Sequence, residues 1–129
     1  MARIFGLFLG VGLGFLVGAA EARPALDDAV TKDSKGRVIS RTTTNPDQSR
    51  HRTSFQYGSD SDRPLVVVDE DLDRLEQATK RVEQRFDGQG RLREKLDLRI
   101  DAAGKQTGTR TRYVYDRSGR RFEEVTPVN

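Results

Sequence analysis

Tyr57, Phe86 and Tyr115 stand at a constant interval of 29 residues, and Arg52, Arg81 and Arg110 keep the same interval. Two residue types held at one spacing point to three copies of a structural unit, and a repeated unit constrains the fold of the whole stretch it covers. The copies read Arg52-Thr-Ser-Phe-Gln-Tyr57, Arg81-Val-Glu-Gln-Arg-Phe86 and Arg110-Thr-Arg-Tyr-Val-Tyr115. If each is extended, alternate side chains share a face. One face carries Thr53, Phe55, Tyr57, Val82, Gln84, Phe86, Thr111, Tyr113 and Tyr115, and the other carries the arginines. Apolar and β-branched residues opposite charge are the pattern of a half-buried strand, with the aromatic face expected to meet the core.

Four segments share Asp-x-x-Gly followed by a base: Asp33 to Arg37, Asp87 to Arg91, Asp101 to Lys105 and Asp116 to Arg120. Asp accepts hydrogen bonds from backbone two residues on, and Gly takes the positive-φ position that closes a tight turn. Each segment is therefore expected to be a hairpin turn, with Gly90, Gly104 and Gly119 as structural anchors beside Tyr57, Phe86 and Tyr115. Leu92, Leu96, Leu98 and Ile100 form the clearest core stripe. Val38 to Thr44, Arg50 to Tyr57, a short Leu65 to Val68 and Arg120 to Thr126 complete an antiparallel meander of six to eight strands, joined by turns of hairpin length. Pro127, lacking a donor, suits the end of an exposed edge.

One stretch contests this reading. Leu72, Leu75, Thr79, Val82 and Phe86 also fall at helical spacing, Asp71 is a suitable cap, and 71–85 holds neither Gly nor Pro. The 29-residue register favours strand over 79–86, while a short helix near 70–78 stays open. The fold class expected is all-β.

The segments Tyr113-Val-Tyr115-Asp116-Arg-Ser-Gly119-Arg120 and Arg85-Phe86-Asp87-Gly-Gln-Gly90-Arg91-Leu92 resemble the YD repeat of the RHS family, whose core reads Tyr-Asp-x-x-Gly-Arg-Leu. The likeness covers roughly 55–126 and is weaker in the first copy, where Gly58 replaces the Asp and Ser61-Asp62-Arg63 replaces Gly-Arg. The resemblance implies β-hairpin sheets that enclose a toxin domain or present surfaces for carbohydrate or protein contact. Three copies are too few to close a shell.

Met1 to Ala22 opens with Arg3, runs through the apolar stretch Ile4 to Val17 and ends on Ala20-Glu21-Ala22. This is the three-part pattern of a secretory signal peptide, with cleavage after Ala22. The apolar stretch is short of the roughly 20 residues that spanning requires, so no stable membrane insertion is expected after cleavage. The chain has no cysteine, which removes a disulfide framework and a lipid-anchored bacterial lipoprotein. A periplasmic or secreted location follows. The expected organisation is a signal peptide over 1–22, a flexible leader over 23–32, a β-repeat domain over 33–126 and a tail over 127–129.

The mature 107 residues hold 21 Leu, Ile, Val and Phe against 22 basic and 19 acidic side chains, so the core must be thin. Basic groups alternate with carboxylates instead of clustering, which argues against nucleic acid. His51, the one histidine, lacks partners for a triad or a zinc site and reads as an ordinary strand residue. Asp69-Glu70-Asp71-Leu72-Asp73 has carboxylates at alternate positions, but Arg74 and Lys80 stand where a calcium loop needs glycine and glutamate, so a solvated acidic turn is preferred. Neither Asp60 with Asp62 nor Glu123 with Glu124 comes with an aromatic platform for acid catalysis. No catalytic residue, metal or cofactor is expected, and no enzymatic activity.

The remaining candidate is the row Arg52, Arg81 and Arg110, whose forks suit the carboxylates or phosphates of an anionic glycan. The plainer reading pairs these arginines with cross-strand carboxylates such as Glu83, Glu94 and Asp97. The function expected is an exported binding or scaffolding module of the bacterial envelope contacting a protein or an anionic glycan. The alternative is a periplasmic inhibitor or immunity-like protein of an envelope or secreted enzyme.

Overall fold

A computed structural model describes residues 27–129; the expected signal segment 1–22 and the first four residues of the expected leader lie outside the described residues. Eight strands follow one another: β1 Asp27–Lys32, β2 Val38–Thr44, β3 Arg50–Tyr57, β4 Pro64–Leu72, β5 Ala78–Phe86, β6 Leu92–Ile100, β7 Gln106–Tyr115 and β8 Arg121–Val128. They form one open sheet in sequence order, and every neighbouring pair is antiparallel. The described residues contain no helix. Short loops permit only antiparallel neighbours, and β-branched runs such as Val66-Val-Val68 and Thr42-Thr-Thr44 favour the pleated backbone.

Six of the seven connections are built alike. In each, the first residue's N–H bonds the carbonyl four residues on, and the fourth residue's N–H bonds the first residue's carbonyl, at 2.8–3.0 Å. That is a type I turn closed by a residue in the left-handed region. Glycine fills that place at Gly36 (φ 80°), Gly90 (φ 82°), Gly104 (φ 84°) and Gly119 (φ 87°). Gln48 (φ 76°) and Glu76 (φ 65°) fill it in the other two. The segment open to a helical reading is thus the end of β4, the turn Asp73 to Gln77 and the start of β5. Asp73 takes N–H bonds from Leu75 (2.8 Å) and Gln77 (3.0 Å), which supplies the turn chemistry in the absence of glycine.

Three expectations need correction. The leader is ordered from Asp27, because β1 pairs with β2 from Asp27↔Thr44 to Lys32↔Val38. The strand expected over Leu65 to Val68 runs from Pro64 to Leu72, and the last strand passes through Pro127 to Val128. The third correction concerns the faces. Directly opposed residues share a face, and the ladders join Ser54–Val68–Glu83–Leu96–Arg110 on one side and Thr53–Asp69–Val82–Asp97–Thr109 on the other. The buried apolar residues Val68 (8% exposed), Leu72 (5%) and Leu98 (3%) lie with the arginines, not with the aromatic rings.

The reason is that there is only one layer. With no second sheet or helix among the described residues, a side chain is covered by neighbours on its own face. Leu98 stands between Arg81 and Gly108, and Val68 between Ser54 and Glu83. Arginine and glutamate side chains are the neighbours on that face, with Glu70 and Glu83 themselves only 13% exposed, and long charged side chains can cover apolar surface with their stems.

Candidate functional site

The arginine face carries a continuous ionic row across five strands. Arg52 on β3 meets Glu70 on β4 at 2.9 Å, and Arg81 on β5 meets the other oxygen of Glu70 at 3.4 Å. Arg81 also meets Glu83 at 3.2 Å, Glu83 meets Arg85 at 2.7 Å, and Arg85 reaches Glu94 on β6 at 3.9 Å. Arg110 on β7 closes the row on Glu94 at 3.2 Å. Burial pushes the Glu83 carboxyl up, but hydrogen bonds from Arg81 and Arg85 outweigh it and hold the group below its ordinary 4.5.

The three arginines singled out by spacing therefore share a face on alternate strands, and the intervening strands place carboxylates between them. Glu83 and Glu94 are partners that the sequence offered. Asp97 is not, because its register opposes Val82 and Thr109 on the aromatic face. Glu70 was missed because β4 was ended at Val68; continuing the alternation two residues further sets it opposite Arg52. Four arginines face three glutamates along the row, which leaves one positive charge in excess. That excess is most accessible at Arg110, which is exposed and meets only Glu94. Arg110 itself, with Arg112, Glu124 and Thr126, lines an open groove of about 190 Å³.

A second arrangement recurs at one end of the sheet. Tyr57 and Tyr115 close β3 and β7 and donate their hydroxyls to the carbonyls of Val38 (2.7 Å) and Leu92 (2.6 Å), the first residues of β2 and β6. Arg37 and Arg91, the bases that follow the turn glycines, lie over these rings at 4.7 and 4.6 Å from their centres. Each arginine is fixed from behind, its Nε donating to Asp33 or Asp87 at 2.9 Å. Aspartate, arginine and tyrosine so tie the turn to the end of the next strand along. Phe86 stands at the matching end of β5, where no hydroxyl is present to donate.

The third cluster lies on the aromatic face. His51 contacts Asp71 through Nδ1 at 2.8 Å and Asp69 through Nε2 at 3.0 Å, and the Thr53 hydroxyl donates to Asp69 at 2.7 Å. The hydrogen bond to Asp71 raises the ring's pKa above its ordinary 6.5; partial burial opposes this and Asp69 adds to it. Sequence spacing placed His51 beside Thr53 but missed both aspartates, which belong to the unread half of β4. Among the described residues, no group of three or more His, Asp or Glu side chains is arranged to hold a metal ion. A comparison with known proteins finds no matching family model, no matching curated protein and no matching solved structure.

Proposed function

We propose that this chain is an exported, non-enzymatic module that binds or scaffolds in the bacterial envelope, using the arginine face to contact an anionic glycan or an envelope protein. The observation that carries this reading is the ionic row itself, laid along a single sheet layer that leaves it open to a flat partner. Arginine forks already in use for carboxylates can exchange them for the carboxylates or phosphates of a polymer, and the excess positive charge favours that exchange. The signal-peptide pattern supplies the location, and the recurring Asp-x-x-Gly-base turns support a build of YD-like hairpin units.

The test is retention of the tagged mature protein on peptidoglycan and on lipopolysaccharide. The triple variant Arg52→Lys, Arg81→Lys, Arg110→Lys keeps charge and loses the forks, so its retention is expected to fall while its circular dichroism stays unchanged. A pull-down from the envelope fraction covers a protein partner. No retention on either polymer together with an empty pull-down overturns the reading.

A further inference from the structure

The open β8 edge is self-complementary in one register. The Asp116 N–H bonds the Arg120 carbonyl beside the first ladder pair, Tyr115↔Arg121. Antiparallel ladders alternate bonded and non-bonded pairs, so Arg121, Glu123 and Val125 turn their backbone groups away from β7, and Pro127 occupies the same outward set without a donor. Around this edge sit Val114 (63% exposed), Phe122 (51%) and Val125 (58%), with Val114 directly opposite Phe122 on the arginine face. Apolar exposure at a strand edge marks a surface prepared for another strand.

We infer that two copies of this chain pair β8 to β8 about a two-fold axis through Val125, joining their sheets into one. In that register Val125 meets Val125 of the second copy, Phe122 meets its Val128, Glu124 its Thr126, and Glu123 its Pro127. The apolar residues of the edge then find apolar partners, and no carboxylate opposes its own copy. Slipping by two residues one way sets Glu124 against Glu124, and by four sets Glu123 against Glu123. Slipping by two the other way sets Val125 against Pro127 and loses the Val125 pair. The glutamates and the proline, which otherwise blunt the edge, select this one alignment. A two-fold contact closes on itself, which distinguishes it from head-to-tail pairing of β8 with β1, a contact that would propagate into a filament. Among the described residues, Val30 is the one exposed large apolar side chain on the β1 edge, and such a contact leaves Phe122 uncovered. One strand pair is a small interface, so the dimer forms and dissociates with concentration.

The test uses the mature chain, which contains no cysteine. Opposed residues of a bonded pair have Cα atoms about 5.5 Å apart, within disulfide range. Val125→Cys is expected to give a cross-linked dimer on mild oxidation, whereas Glu123→Cys, on the same face but far from its own copy, does not. Sedimentation of the unmodified chain should show mass doubling as concentration rises, and Val125→Lys should remain monomeric with unchanged circular dichroism. The inference is overturned by a monomer at every concentration, by equal cross-linking of Glu123→Cys, or by a ladder of polymers from Val30→Cys with Val125→Cys.

Discussion

Gly108 in β7 lies so close to Asp97 in β6 that a Cβ on it would overlap the Asp97 carbonyl oxygen and stand 2.9 Å from the carbonyl carbon. The obstacle is backbone, which cannot rotate aside, and the same Cβ would come 3.0 Å from Leu98 Cα. Leu98 is the most deeply buried of the core residues, so the approach of the two strands is coupled to the packing of the arginine face. Gly108→Ala is expected to destabilise the fold by about 1–3 kcal/mol, as overpacking does. Chemical denaturation of the variant against Gly88→Ala, where a Cβ meets nothing within 4 Å and φ is not positive, checks this.

The six like turns differ at the left-handed position, and this gives an internal comparison. Gln48 and Glu76 hold positive φ with a side chain, at about 1 kcal/mol each. Gln48→Gly and Glu76→Gly are therefore expected to raise stability or leave it level, since a more flexible unfolded chain offsets part of the relief. The reverse change, Gly104→Ala or Gly119→Ala, should cost about 1 kcal/mol, although neither added Cβ touches anything. Thermal melts of the four variants decide it; a Gly119→Ala protein as stable as the parent would remove the argument.

These turns also explain what could be read from the chain and what could not. Asp-x-x-Gly is local chemistry, so most hairpins were legible, and the 29-residue interval is the length of two strands and two turns, which returns each Tyr or Phe to the same sheet end. Asp73 to Gln77 was obscured because its left-handed residue is Glu76. Its flanking Leu72, Leu75 and Thr79 then imitate a helical stripe. β1 was not legible because Asp28, Val30 and Lys32 at an edge carry no alternation that a core would impose. The buried face was misjudged because aromatic residues usually mark the inside. In a single layer, Leu98 is buried instead on the face it shares with Arg81 and Glu83. Of the arginine row, the spacing showed Arg52, Arg81 and Arg110, but Glu70 and the His51 partners depended on the true length of β4.

The hydroxyls of Tyr57 and Tyr115 each satisfy a strand-end carbonyl while the ring carries a guanidinium. Tyr57→Phe and Tyr115→Phe keep the ring and its arginine contact and remove only the bond. Each is expected to lower stability by about 0.5–1.5 kcal/mol. Phe86→Tyr tests the same idea from the other side, and no loss on Tyr115→Phe would show that water replaces the bond at no cost.

His51 is directly opposite Asp71 in the β3–β4 ladder, and its two ring nitrogens reach two different carboxylates. Carboxylate oxygens only accept, so both contacts are hydrogen bonds when the ring is the doubly protonated imidazolium. Lys80 stands opposite Asp71 on β5 and Arg41 opposite Thr53 on β2, and the shift is upward with both in place. A folded pKa above the ordinary 6.5 means that the clamp's contribution is full below that value and is lost as pH rises through the folded pKa. The ring's solvent exposure screens the effect, so its size is modest. As the chain has one histidine, a proton NMR titration reports it without assignment by mutation. The folded protein should titrate above 6.5, Asp71→Asn should bring the midpoint down, and His51→Gln should flatten the fall in stability across neutral pH. A midpoint at or below 6.5 in the folded protein would show that the imidazolium is not held between the two aspartates.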